Sequence, residues 1–368
     1  MTAAVEFRNI RKAYQQNVVL RDLSLTIEQG SFTVIYGPPA CGKSLLLRLL
    51  AGLEKPDKGH IFLSGEDVTG LSPEKRNLGY VPQSFALYPH YRVYDNIAYP
   101  LTLAGASKAV IRPTVEHAAA ALKISHLLKK YPNQLSGGEK QRVAIARGIV
   151  KDTKIFILDD PLTGLDFKLR EQLFEDLRQM KTDLAATFIY TTSDTLEALM
   201  LAEQIKILDQ GGIVEAGDLE AVYSHPQHIR TMALLGFPEA NILPGRLYKE
   251  GDCVRLKTDI FDLPIYLDPS SADFADGMLV HVALRPQDVR INPRQANGIL
   301  VKKAEITLVE DLGGEMVGYI DVDSMSLRAV IGQGAGELVE GASTIGIHPD
   351  ALALYALETG RRVELGAR

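Results

Sequence analysis

Eight consecutive residues, Gly37, Pro38, Pro39, Ala40, Cys41, Gly42, Lys43 and Ser44, fit the pattern GxxxxGK[ST]. Glycines let such a loop turn so that successive backbone N–H groups point inward at phosphate oxygens. A helix beginning near Lys43 adds the positive end of its dipole. In this pattern Lys43 supplies a point charge to the β- and γ-phosphates, and the Ser44 hydroxyl coordinates Mg²⁺. At ordinary glycine usage a chain this long meets the pattern by accident about 1% of the time. The residues therefore suit a nucleoside triphosphate bound with Mg²⁺. Cys41 lies in the same loop beside Lys43 and at a helix N-terminus, a setting that favours a reactive thiolate.

Two further segments belong with this chemistry. Ile155-Phe156-Ile157-Leu158-Asp159 is an apolar strand ending in a carboxylate. Alone, Asp159 would read as a solvated strand end; beside a phosphate loop it reads as part of a Mg²⁺ shell. Leu135-Ser136-Gly137-Gly138-Glu139-Lys140-Gln141-Arg142 makes a second anion site. Ser136 is suited to cap a helix starting at about Glu139, with Gly137 and Gly138 exposing backbone N–H groups. One compact domain rarely needs two such sites for one γ-phosphate. A head-to-tail dimer resolves this, with the second site of one subunit covering ATP held by the first site of the other. A capped surface helix is the plainer reading, but it leaves the glycine pair unexplained.

The elements that must position these residues alternate. Residues 3–8 and 22–28 read as strands, and Ser31 to Tyr36 as a buried strand running into the glycine-rich loop. Helices are expected from Lys43, over 114–130, from Glu139 to Lys151 and from Leu169 to Asp183. Lys154 to Leu158 and Ala186 to Thr191 read as buried strands. Strands alternating with helices predict a parallel sheet. From about residue 240 short apolar runs are separated by Gly, Pro and Asp, which predicts a small all-β domain and leaves a weak internal duplication open. The boundary is expected between His225 and Pro244, giving domains over 1–235 and 236–368.

Composition narrows the functional class. At 368 residues two domains are expected. The formal net charge of −6 argues against nucleic-acid binding. Two widely separated cysteines suit a reducing compartment better than a disulfide framework. The N-terminal residues lack the apolar core of a signal peptide, and no apolar run is long enough to span a membrane. If the function is transport, the pore belongs to other chains.

LSGGEKQR resembles the signature motif of ABC ATPases, and other landmarks of that family follow in order. Tyr14 stands where the family has an aromatic that stacks on adenine. Gln83, in YVPQSFALYPH, matches the glutamine that contacts Mg²⁺ and water and senses the membrane subunits. Leu162 to Asp166 matches the loop that runs across the dimer, with Asp166 serving the partner's ATP. SFALYPHYRVYDNIAYPLTLAG, ALRPQDVRI and LVEDLGGEMVGYI are similar to the ATPases of carbohydrate-type importers, the maltose and glycerol-phosphate group. The resemblance implies an α/β ABC ATPase domain with a parallel core, an antiparallel β subdomain and a helical subdomain over about 84–150. It implies an OB-like C-terminal domain for dimer contacts and regulation. It also implies two transmembrane permease subunits, a second ATPase subunit, an external solute-binding protein reached indirectly, and a peripheral place on the cytoplasmic face of the inner membrane. Residues 83–97 would form the permease socket; rings packed inside the domain are the alternative.

Two positions depart from the family pattern. The strand normally ends Asp-Glu, the Glu polarising the attacking water; here it ends Asp159-Asp160, one methylene shorter. A base must come within about 2.6–3.2 Å of its proton, so reach matters. The switch segment normally reads Thr-His-Asp; here Ser193 replaces the histidine that contacts the γ-phosphate. Ser is shorter and carries no charge. The expectation is a degenerate catalytic site in an importer ATPase that pairs with a different, complete ATPase. A slow homodimer and a non-hydrolysing ATP-binding regulator are the alternatives. A DNA-repair or translation ABC protein would need a coiled-coil insert or tandem cassettes, and this chain has neither. The solute is expected among sugars, polyols, glycerol and glycerol phosphate.

Overall fold

In this computed structural model the described residues are 2–164, 167–250, 253–265, 275–293, 300–311, 315–331 and 341–364, with Phe167 and Cys253 described by backbone alone. The chain forms two compact units, Met1–Leu219 and Glu220–Arg368.

In the first unit, β1 (Ala3–Tyr14) and β2 (Asn17–Glu28) form a long antiparallel hairpin. With β4 (Lys58–Leu63) and β5 (Glu66–Asp67) they make a sheet in the order β2-β1-β4-β5. A second sheet has six strands. Its members are β3 (Phe32–Tyr36), β6 (Gly79–Val81), β7 (Ile155–Asp159), β8 (Thr187–Thr192), β9 (Gln204–Asp209) and β10 (Gly212–Asp218). All pairings in it are parallel except that of β10 with β9. Every residue of β3, β7 and β8 is buried, as expected for strands covered on both faces.

Helix α1 (Lys43–Ala51) shares one core with both sheets. Leu46 and Leu50 pack with Phe7 and Ile10 of the hairpin and with Ile35 and Ile157 of the parallel sheet. That double burial accounts for its sequence KSLLLRLLA, apolar almost all round. The helical layer comprises α2 (Val93–Leu103), α3 (Lys108–Ala121) and α4 (Gly137–Ile149). Two helices, α5 (Phe167–Leu184) and α6 (Thr195–Leu201), flank β8 in sequence.

One helix departs from the sequence expectation of 114–130. It starts at Lys108 and runs through Pro113. It stops at Ala121 because Lys123 turns left-handed at φ 57°, and short 3₁₀ turns follow with Leu127 buried beneath them.

The second unit begins inside α7 (Leu219–Ser224) and continues through α8 (Ile229–Leu234). Residues 220–235, which sequence texture groups with the first domain, pack with this one instead: Arg285 donates to the carbonyls of Tyr223 and Leu235. The strands are β11 (Asn241–Glu250), β12 (Cys253–Thr258), β13 (Asp262–Ile265), β14 (Met278–Leu284), β15 (Val289–Ile291), β16 (Leu300–Asp311), β17 (Met316–Val322), β18 (Met325–Ile331), β19 (Gly341–Ile347), β20 (Ala353–Ala356) and β21 (Arg362–Val363). They form two antiparallel sheets, β13-β12-β11-β14-β20-β21 and β15-β19-β16-β17-β18, closed over one apolar core.

Two passages between the sheets share one form. β14 passes through the turn Pro286–Asp288 into β15, and β19 passes through the turn Pro349–Ala351 into β20. Each passage changes sheets, and the four strands interlock: β14 pairs with β20 and β15 with β19.

Candidate active site

The loop after β3 is shaped as the glycine spacing requires. At Gly37 a Cβ would fall 2.0 Å from the Leu208 carbonyl oxygen, so only glycine fits. Gly42 turns at φ 111° into α1, a conformation that favours glycine. Lys43 is buried, its Nζ donating to the carbonyls of Gly37 at 2.7 Å and Pro38 at 2.9 Å. Its charge therefore sits inside the loop curve, where a phosphate's negative charge can engage it. The cavity here is about 270 Å³, lined by Pro39, Ala40 and the run from Gly42 to Leu45 together with Gln83, Asp160 and Ser193. The first-unit residues predicted from the phosphate loop, the strand end and the switch thus meet at one place.

Asp159 is buried at the end of β7. Its Oδ1 accepts from Ser44 Oγ at 2.9 Å and from Thr191 Oγ1 at 2.9 Å. Burial pushes its carboxyl above the usual range, opposed by those two hydroxyls. A hydroxyl and a buried carboxylate held together beside a phosphate loop suit Mg²⁺, which takes one or two protein oxygens and completes its shell with phosphates and water.

Asp160 follows in a left-handed conformation at φ 43°. Its backbone N–H donates to the Thr191 carbonyl at 3.0 Å, and its Oδ2 accepts from Gln83 Nε2 at 3.3 Å. Ser193 is exposed on the facing segment. Behind it, Asp194 caps α6, accepting from the amides of Leu196 and Glu197, and pairs with Arg170 at 2.6 Å. Buried Glu197 accepts from the hydroxyls of Tyr190 and Thr192, each at 2.7 Å. Sequence reading missed this support, although Asp194-Thr-Leu-Glu197 is a capping signature. Thr191, which holds both aspartates, gave no local signal.

Cys41 corrects an expectation. The thiol is buried, and that burial raises its pKa more strongly than nearby Lys43 lowers it. The Lys43 ammonium is 3.9 Å from Sγ and is engaged by loop carbonyls. A favoured thiolate is not what this site makes.

Tyr14 ends β1 and is 47% exposed, so a face is open for stacking. Its hydroxyl donates to Glu54, and Lys12 lies 5.5 Å over the ring.

Ser136 caps α4 with a reciprocal box: its Oγ accepts from the Glu139 amide at 3.3 Å, while Glu139 accepts from the Ser136 amide at 2.7 Å. The two glycines differ. A Cβ at Gly138 would strike Leu169 Cδ2 at 2.0 Å, so internal packing accounts for it; Gly137 faces open space. The plain reading of a capped helix thus explains one glycine of the pair. Farther along α4, Arg142 donates to Asp176 of α5 at 2.5 Å, and both are buried. Asp166 lies outside the described residues; Leu162, at the start of that loop, is buried.

In the segment 83–97, Val93 and Ile97 are buried while Tyr88 and Tyr91 are 40% and 41% exposed. Tyr88, Tyr91 and Tyr99 cluster with ring centroids 4.7–5.9 Å apart. Fully buried Asn96 holds the backbone beneath them, bonding Tyr88 N–H and the carbonyls of Tyr88 and Tyr91.

Comparison with known proteins bears on this geometry. Residues 20–163 match the family described as ABC transporter. Over 357 residues the chain is 36% identical to the maltose/maltodextrin import ATP-binding protein MalK of Shigella flexneri serotype 5b (strain 8401), spanning 96% of this chain and 95% of that one. The chain belongs to the MalK-type ABC ATPases. The MalK of Escherichia coli (strain K12) is 35% identical over the same length. Two solved dimers of a bacterial ABC transporter cassette, one in a post-hydrolysis state with ADP and Pi, match at 28% and 27% identity, with TM-scores of 0.54 and 0.55. Each match covers 58% of this chain and 98% of that cassette. As an ABC ATPase the chain is an ATP hydrolase that takes ATP with Mg²⁺. Among the described residues no helix is long and apolar enough to cross a membrane.

Proposed function

We propose that this ABC ATPase is the ATP-binding subunit of an importer for a sugar, polyol, glycerol or glycerol phosphate. It sits peripherally on the cytoplasmic face of the membrane, on two permease subunits that receive solute from an external binding protein. Full-length similarity to proteins named for maltose and maltodextrin import supports the importer class.

We further propose that its own nucleotide site is weak and that it pairs with a second, complete ATPase. The observation that carries this is the lining of the site cavity, where Asp160 and Ser193 stand opposite the phosphate loop. Loop amides and Lys43 bind the phosphates, Ser44 and Asp159 hold Mg²⁺ with Gln83, and Tyr14 takes the adenine. Mg²⁺, when bound, neutralises charge on the phosphate oxygens. Positioning the attacking water falls to Asp160, whose carboxylate is a methylene short, and Ser193 offers the γ-phosphate a hydroxyl without charge. Ser136, Gly137 and Asp166 serve the partner's ATP, and the Tyr88–Tyr91 surface receives the permease.

Co-purification with the native permease, followed by identification of every ATPase chain, tests the pairing. In that complex Ser136→Ala should abolish ATPase activity, and Lys43→Ala should cost much less. Equal loss from both substitutions, with this chain as the sole ATPase present, would mean a homodimer with two working sites.

A further inference from the structure

The C-terminal unit contains a polar cavity that nucleotide chemistry does not use. It measures about 320 Å³, the size of small-ligand pockets and far more than one water, about 30 Å³, requires. It lies where the two sheet-crossing turns approach β21 and α7. Its polar lining includes Tyr223, Arg285, Gln287, Asp288, Asp350 and Arg362, with Ser224 and His225 beside them.

Most of these groups are matched. Buried Arg285 donates to the carbonyls of Leu235 at 2.8 Å and Tyr223 at 2.6 Å, with its guanidinium 3.8 Å above the Tyr223 ring. Gln287 Nε2 donates to the Tyr223 hydroxyl at 3.1 Å. Burial pushes the Asp288 carboxyl above the usual carboxylate range, with the Arg285 charge working against it, and Asp350 lies 3.5 Å from His348.

Arg362 is different. Its backbone is pinned in β21, pairing with Tyr355 and donating to the Gln227 carbonyl at 2.9 Å. Its Nη1 is buried and has no hydrogen-bond partner among the described residues. A buried guanidinium donor left without an acceptor is unfavourable. What it lacks is an acceptor, and a guanidinium fork is best met by the paired oxygens of a phosphate or carboxylate. The Asp350 carboxylate and the Tyr223 hydroxyl oxygen can accept from hydroxyl groups on the same ligand. We propose that this cavity binds a small hydroxylated oxyanion, a phosphate monoester or a hydroxycarboxylate, with its charged end on Arg362.

The test is calorimetric titration of the full chain, its nucleotide site filled by a saturating non-hydrolysable ATP analogue with Mg²⁺. The probes are glycerol 3-phosphate, glycerate and neutral glycerol. Saturable binding of either anion, with none for glycerol, is expected, and the anion that binds identifies the charged end. Arg362→Met should weaken it by about tenfold or more, Arg362→Lys by less, and Lys43→Ala not at all. Binding lost in Lys43→Ala but kept in Arg362→Met would locate it in the phosphate loop and overturn the proposal, as would no saturable binding of either anion. Should Arg362→Met fail to fold, a crystal of the wild-type chain soaked in the anion that binds decides: an anion beside Arg362 Nη1 supports the site, and an empty cavity overturns it.

Discussion

The side-chain amide of Gln83 donates to the Asp160 carboxylate at 3.3 Å, so the residue that follows β6 touches the residue that follows β7. Both line the cavity shared by Lys43, Ser44 and Ser193. The group proposed to position water is thus held beside the group proposed to report on the permease, and its carboxylate is one methylene shorter than that of a glutamate.

Lengthening that carboxylate and restoring an imidazole should restore chemistry. Removing one preorganised electrostatic contact typically costs about 10²–10³ in turnover. The double variant Asp160→Glu with Ser193→His should therefore raise phosphate release by the isolated chain by about that factor. A wild-type chain that hydrolyses ATP rapidly as a homodimer would show that both residues are tolerated variants.

The Arg142–Asp176 pair joins the signature helix to α5, with side chains only 6% and 7% exposed. Removing one partner of a buried pair leaves an uncompensated charge and typically costs about 3–5 kcal/mol. Asp176→Ala should lower unfolding stability by an amount of that order in denaturant titration. Glu116→Ala, which breaks the solvent-screened exposed pair with Arg112, should leave the denaturation midpoint nearly unchanged. Equal effects would mean that the buried pair is not holding the helix.

Because burial dominates its environment, Cys41 should be a slow thiol. Its pKa lies above the ordinary thiol value, with Lys43 working in the opposite direction. The thiolate fraction at neutral pH is then below that of a free cysteine, and it grows only as pH rises past the usual thiol range. Alkylation rate against pH should have its midpoint above that of a small-molecule thiol, and Lys43→Ala should move it higher still. A midpoint below the free-thiol value would restore the reactive reading.

Tyr88 is open to solvent while its backbone is clamped by Asn96. Tyr88→Glu should leave the thermal melt and ATP affinity of the isolated chain unchanged and abolish co-purification with the permease. Loss of folding would instead assign the ring a packing role.

Sequence alone determined the phosphate loop, the strand bearing Asp159, the capped signature helix and the two departures at Asp160 and Ser193. These are local features: glycine placement, a cap, a fully apolar strand and a residue type at a motif position all act over a few neighbouring residues. Tertiary structure decided the rest. Gly138 is glycine because Leu169 packs on it, Cys41 is buried because the core closes over it, and Asp159 is held by Thr191 from the neighbouring strand. Residues 220–235 belong with the β unit because Arg285 reaches back to bond them. Each of these depends on side chains brought together from distant parts of the chain, and the burial that shifts a thiol or leaves an arginine unmatched exists only once the sheets have closed.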